Sequence, residues 1–124
     1  ALDELPRVDI VPMYAGADAA LLNAAVHAGA KGVVIQALGA GNVNADLLTA
    51  ISYAIDSGIT IVIASRVPRG RVGPVYGFPG GGMTLKSAGV IFANDLSPQK
   101  ARILLMLALQ VIRPTSGLQE LFDQ

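Results

Sequence analysis

Six consecutive residues, Gly39, Ala40, Gly41, Asn42, Val43 and Asn44, stand where an apolar run ends and a helical pattern begins. Their types suit ligand contact. Two glycines let the backbone turn sharply and let a bound group come close. The free amides and dipole of the helix start that follows favour an anionic group. The Asn42 side chain, between turn and cap, can both donate and accept. The spacing is not a dinucleotide fingerprint, because Asn44 replaces the third glycine and no acid-tipped strand follows about twenty residues on. The same six residues also fit a plain strand-to-helix turn with Asn44 as N-cap.

A second candidate segment runs from Ser65 to Ser87. It holds Gly70, Gly73, Gly77, Gly80, Gly81 and Gly82, with Pro68, Pro74 and Pro79 among them. So long a stretch without periodicity inside a small domain points to function or flexibility rather than simple connection. Between Arg66 and Ser87 there is no Asp or Glu, while Arg66, Arg69, Arg71 and Lys86 are cationic. Tyr76 adds a hydroxyl, and a solvated basic surface accounts for the four cations equally well. The threonines offer no activated nucleophile: Thr49 falls in a helical pattern, Thr60 in a strand, Thr84 in the glycine-rich stretch and Thr115 near the end. None has a lysine and an aspartate at readable spacing, and the pairing of Thr84 with Lys86 is a chance proximity.

The elements that must position these segments alternate between two periods. Val8 to Tyr14 reads as a strand, with Pro12 either weakening that reading or placing the strand near a sheet edge. Asp18 is expected to cap a helix from Ala19 to about Ala28, ended by a left-handed Gly29. Gly32 to Leu38 and Ile59 to Ala64 are continuous apolar strands, the pattern of strands covered on both faces. Between them Leu47, Leu48, Ile51, Ala54 and Ile55 recur at helical spacing, and Gly58 stops the helix. Gly89 to Ala93 is a fourth strand. Ser97 followed by Pro98 marks a helix start. That helix is expected to reach about Ile112, with Leu104, Leu105, Ala108 and Val111 on one apolar face, before Pro114 ends it. A short helix from Gly117 to Phe122 closes the chain. Strands alternating with helices predict a mostly parallel sheet with helices on both faces, whose ligands lie outside the carboxyl ends of the strands.

Composition narrows the classes of function. The 124 residues suit one compact domain, and nine cations balance nine anions. Nucleic acid and anionic membranes both need a basic surplus, so neither is an expected partner. The absence of cysteine excludes disulfides, thiolate metal sites and a cysteine nucleophile. A single histidine, His27, leaves no His-rich metal site and is expected at the solvent edge or packed. No charged-then-apolar leader follows Ala1, and the longest apolar run, near Ile103 to Leu109, is too short to cross a bilayer. The reading is of a soluble piece, processed or excised. Hydrophobic residues make up 52% of the chain, enough that part of the apolar surface is expected to meet a partner.

The short motifs, taken in order, resemble the C-terminal half of bacterial L-asparaginases. They are Leu5-Pro6-Arg7-Val8, Gly39-Ala40-Gly41-Asn42, Ser65-Arg66-Val67-Pro68, and Leu96 to Arg102 leading into Leu104 to Leu109, with a Gln119-Glu120-Leu121-Phe122 ending. The resemblance spans essentially the whole chain. It implies that residues 1–124 are one C-terminal domain with a three-layer, Rossmann-like α/β fold of about four mostly parallel strands. It also implies an amidohydrolase releasing ammonia from L-asparagine, possibly L-glutamine. The larger N-terminal domain of that family carries a nucleophilic threonine, with a second threonine, a lysine and an aspartate in support. No catalytic residue, metal or cofactor is expected in this chain. The small domain completes a neighbouring subunit's site with an asparagine, which Asn42 matches, beside Gly41. Often it adds a glutamate near the substrate's α-amino group, and here the segment 66–87 has none. Tyr76 is the candidate replacement, unless the other domain takes that role. The resemblance further implies a homo-oligomer, a tetramer or dimer of dimers, and a periplasmic, secreted or alternatively cytoplasmic location. Two other readings fit: the asparaginase-like subunit of a tRNA-dependent amidotransferase, and a non-enzymatic small-ligand binding or assembly module.

Overall fold

A computed structural model describes residues 5–12, 18–37, 45–65, 88–93, 96–111 and 115–123. Four strands, β1 (Val8–Pro12), β2 (Gly32–Ala37), β3 (Thr60–Ser65) and β4 (Ile91–Phe92), form one sheet in the order β1-β2-β3-β4. Every pairing is parallel. Helices α1 (Ala20–His27) and α2 (Ala45–Asp56) are the crossovers, and α3 (Pro98–Ala108) and α4 (Thr115–Phe122) follow β4.

Alternation along the central strands divides the apolar side chains into two cores. Val33, Ile35, Ile61, Ile63 and Phe92 pack with Leu22 and Ala25 of α1 and Leu47, Ile51 and Ala54 of α2. Val34, Val62, Ala64 and Ile91 pack on the other side with Ala101, Leu105 and Ala108 of α3 and Leu118 and Phe122 of α4. The continuous apolar runs thus reflect a sheet covered on both faces, the expected three-layer α/β arrangement.

Both helix-to-strand turns close in the same way. Gly58, at φ +91°, donates to the Ile55 carbonyl at 2.9 Å while Ile59 donates to that of Ala54 at 3.0 Å. Gly29, at φ +93°, and Ala30 repeat the pattern on Val26 and Ala25, both at 3.1 Å. This paired bonding satisfies the last carbonyls of each helix and requires a left-handed residue. A methyl group added at Gly58 would meet nothing within 4 Å, so only the backbone opposes it. Gly58→Ala is expected to cost about 1–2 kcal/mol, the cost of a left-handed alanine. Denaturant unfolding checks this, and an unchanged midpoint would contradict it.

Several boundaries differ from those expected of the sequence. Asp18 does accept from a first-turn amide, Ala20 N at 2.9 Å, but Ala19 occupies the cap position and α1 starts one residue later. Strand β4 pairs over only Ile91 and Phe92, because Gly89 at φ +100° still belongs to the preceding turn. Ser97 caps α3 as expected, its hydroxyl accepting from Lys100 N at 3.2 Å. That helix ends at Ala108 rather than near Ile112. Gln110 and Val111 bond back three residues, to Leu107 and Ala108, which tightens the last turn. Val111 is therefore 76% exposed and lies off the buried face assigned to it. Pro12 does lie in an edge strand, where its missing N–H costs no ladder bond. His27 is exposed in the last turn of α1. Among the described residues no helix is long and apolar enough to cross a membrane.

Candidate functional site

Strands β2 and β3 are neighbours in register, and their last residues, Ala37 and Ser65, are partners across the ladder. Strands β2 and β3 therefore end side by side at the sheet's carboxyl end, and in chain order the two segments singled out in the sequence, 38–44 and 66–87, follow those ends. Packing holds these exits in place: Ile35, Ile63 and Ala64 are fully buried just before them. On the far side of 38–44 the chain is anchored by α2, whose Leu47 and Ile51 are buried in the first core. The described frame beside segment 38–44 is thus a strand end and a helix start.

Gly41, Asn42, Asn44 and Tyr76 themselves lie outside the described residues, as do Arg66, Arg69, Arg71, Thr84 and Lys86. What is described beside them is Asp46, exposed in the first turn of α2. A carboxylate in the first turn is favoured by the positive end of that helix and offsets the pull of the α2 terminus on a ligand anion. Thr49 and Thr60 are structural. The Thr49 hydroxyl donates back to the Ala45 carbonyl at 3.1 Å, and Thr60 is buried at the start of β3. Among the described residues no group of His, Cys, Asp or Glu is arranged to hold a metal ion.

The strand order never reverses within the sheet, so these four strands contain no switch-point crevice of the kind that holds ligands in doubly wound folds. A groove of about 740 Å³ does run along the outer edge of β1, between Arg7, Ile10, Leu21, Ala24 and Arg102. Its cations are turned onto the protein. Arg7 pairs with Asp9 at 3.0 Å and donates to the Ala28 carbonyl at 3.3 Å. Arg102 Nε donates to the Val8 carbonyl at 2.7 Å. This groove closes a sheet edge.

Comparison with known proteins agrees with this fold. The family model of the glutaminase/asparaginase C-terminal domain matches residues 7–122. A probable periplasmic L-asparaginase of Haemophilus influenzae is 36% identical over 122 residues, which is 98% of this chain and 34% of that protein. A glutamyl-tRNA(Gln) amidotransferase subunit of Pyrococcus furiosus is 36% identical over 104 residues, 83% of this chain and 23% of that one. A crystal structure of a probable cytoplasmic L-asparaginase from Campylobacter jejuni superposes with a TM-score of 0.86 at 33% identity, covering 99% of this chain and 37% of that one. The chain therefore spans little more than a third, or less, of the length of these relatives. With nearly all of its residues matched by the family model and its fold matched by a solved member, the chain belongs to the glutaminase/asparaginase C-terminal domain family.

Proposed function

We propose that residues 1–124 are the C-terminal domain of an L-asparaginase-type amidohydrolase, and that they complete a substrate site whose reacting groups lie in another domain. The observation that carries this reading is the family match over residues 7–122. The parent hydrolyses L-asparagine, with L-glutamine as the further candidate, to the acid and ammonia. A hydroxyl nucleophile upstream attacks the amide, ammonia leaves, and water cleaves the acyl-enzyme. This domain contributes Asn42 and Gly41 at the carboxyl end of β2 to the site of a neighbouring subunit in a homo-oligomer, a tetramer or dimer of dimers. Segment 66–87 leaves the sheet beside them and brings Tyr76, whose hydroxyl stands in for the carboxylate that this segment lacks. The adjacency of the ends of β2 and β3 supports a site at that end of the sheet.

The similarity to an amidotransferase subunit supports a second reading, in which the same ammonia-releasing core serves tRNA-dependent amidation. The relatives include proteins named for the periplasm and for the cytoplasm, and of the two we favour a periplasmic or secreted parent.

The test is ammonia release. The full-length parent is expected to release ammonia from L-asparagine, and the purified 124-residue chain none. Turnover by the chain alone would refute the division of labour proposed. Dependence of the parent on a partner subunit and a glutamyl-tRNA would favour the second reading.

A further inference from the structure

We propose that Gln119 closes the outer edge of β4 in place of a fifth strand and acts as the catch that holds the C-terminal helix α4 on the sheet. The ladder direction establishes which groups need closing. Ala93 N–H donates inward to the Ile63 carbonyl at 2.9 Å, so in an extended strand the N–H and C=O of Phe92 point outward. Unpaired strand edges are open to pairing with another chain, and an edge closed by side chains is one remedy. The Gln119 carboxamide meets both groups. Its Oε1 accepts from Phe92 N at 2.9 Å and its Nε2 donates to the Phe92 carbonyl at 3.2 Å. The second Nε2 proton goes to Asp123 Oδ1 at 2.9 Å.

A primary amide presents one acceptor and two donors, and all three functions are used here. The orientation follows from chemistry, because only the amide oxygen can take the Phe92 N–H. Apolar packing flanks the catch, with Leu118 and Phe122 each 2% exposed in the core beneath α4. The opposite edge is closed by a related device, with Arg102 on the Val8 carbonyl and Pro12 lacking an N–H. Both edges thus end on side chains. Strand β4 is only two residues long, so the catch supplies bonds that β3 alone does not.

Amide hydrogen exchange on the 124-residue chain tests the catch. Gln119→Ala removes all three bonds, and the Phe92 amide is expected to exchange at least about tenfold faster than in the parent sequence, a ratio independent of pH. Gln119→Glu separates hydrogen bonding from mere packing. Its carboxylate can still accept from Phe92 N–H, but it has no proton for the Phe92 carbonyl or for Asp123 and sets a negative charge against both oxygens, so the edge is expected to open at pH 7. Its protonated form presents a C=O and an O–H and restores the pair. The closed state therefore binds the extra proton. Protection is expected to be fullest below the ordinary glutamate range, about 4.3, and to fall as pH rises through a raised value. Asp123 is the titratable group at the amide, and residues 88–93 hold none. Exchange at Ile63 and Val34, matched to the wild type at each pH, reports that the fold is intact. A Phe92 exchange rate unchanged in Gln119→Ala, or a Gln119→Glu profile parallel to the wild type from pH 4 to 7, would overturn the proposal. Should Gln119→Ala fail to fold, the pH profile of Gln119→Glu decides alone.

Discussion

Replacing Leu105 by alanine is expected to destabilise the domain by about 2–5 kcal/mol, a large share of the 5–15 kcal/mol typical of a whole domain. Leu105 is fully buried on α3, in the core beneath Val8, Val34 and Val62. Its site is unusual in that a glycine of the central strand makes room for it. A methyl group added at Gly32 would lie 2.8 Å from Leu105 Cδ2 and 3.2 Å from Leu109 Cδ1. Gly32→Ala alone is therefore expected to overpack the contact and cost about 1–3 kcal/mol. In the Leu105→Ala background the same methyl enters vacated space, so the double variant is expected to lose less than the sum of the two separate losses. A double-mutant cycle by denaturant unfolding measures this coupling. Strict additivity would mean that the helix is not seated by that glycine.

The second large effect concerns activity. In the full-length parent, Asn42→Ala is expected to lower kcat/KM for L-asparagine by about 10²–10³, the range seen when one preorganised polar group is removed from a reacting site. The oligomer and its melting temperature are expected to change little. A small loss confined to KM would instead assign Asn42 a minor binding role, and no loss would return the glycine turn to a plain strand-to-helix junction.

Much of the fold is legible in the sequence because it rests on local chemistry. The apolar runs of β2 and β3 have no polar face to alternate with, so they announce a covered sheet. Gly29 and Gly58 mark helix ends because a left-handed residue is needed there. The Ser97-Pro98 cap depends on residues within one turn of each other. What the sequence conceals has the opposite character. The end of α3 is hidden because apolar residues continue past Ala108 and nothing local forbids helix before Pro114, while Val111 ends in solvent. The bonds from Gln119 to Phe92 and from Arg102 to Val8 cross 27 and 94 residues of sequence. An amphipathic helix reads the same whether its polar residue faces water or a strand edge. The pairing of Ala37 with Ser65, which sets the ends of β2 and β3 side by side, is likewise a matter of register that the strand sequences do not fix. Asn42, Gly41 and Tyr76 are reached through motif order, and they lie outside the described residues.

The central claim is that this domain completes a site belonging to a neighbouring subunit, and complementation between two inactive parents tests it most directly. One parent carries Asn42→Ala; the other carries an inactivating substitution of the nucleophilic threonine proposed for its catalytic domain. Each alone is expected to be nearly inactive toward L-asparagine. In a symmetric dimer of the two, one site combines the intact catalytic domain of one subunit with the intact C-terminal domain of the other. Random mixing is then expected to restore roughly a quarter of the wild-type ammonia release, since half the dimers are mixed and each has one of two sites whole. Mixed oligomers that form but release no more ammonia than the separate variants would contradict the account.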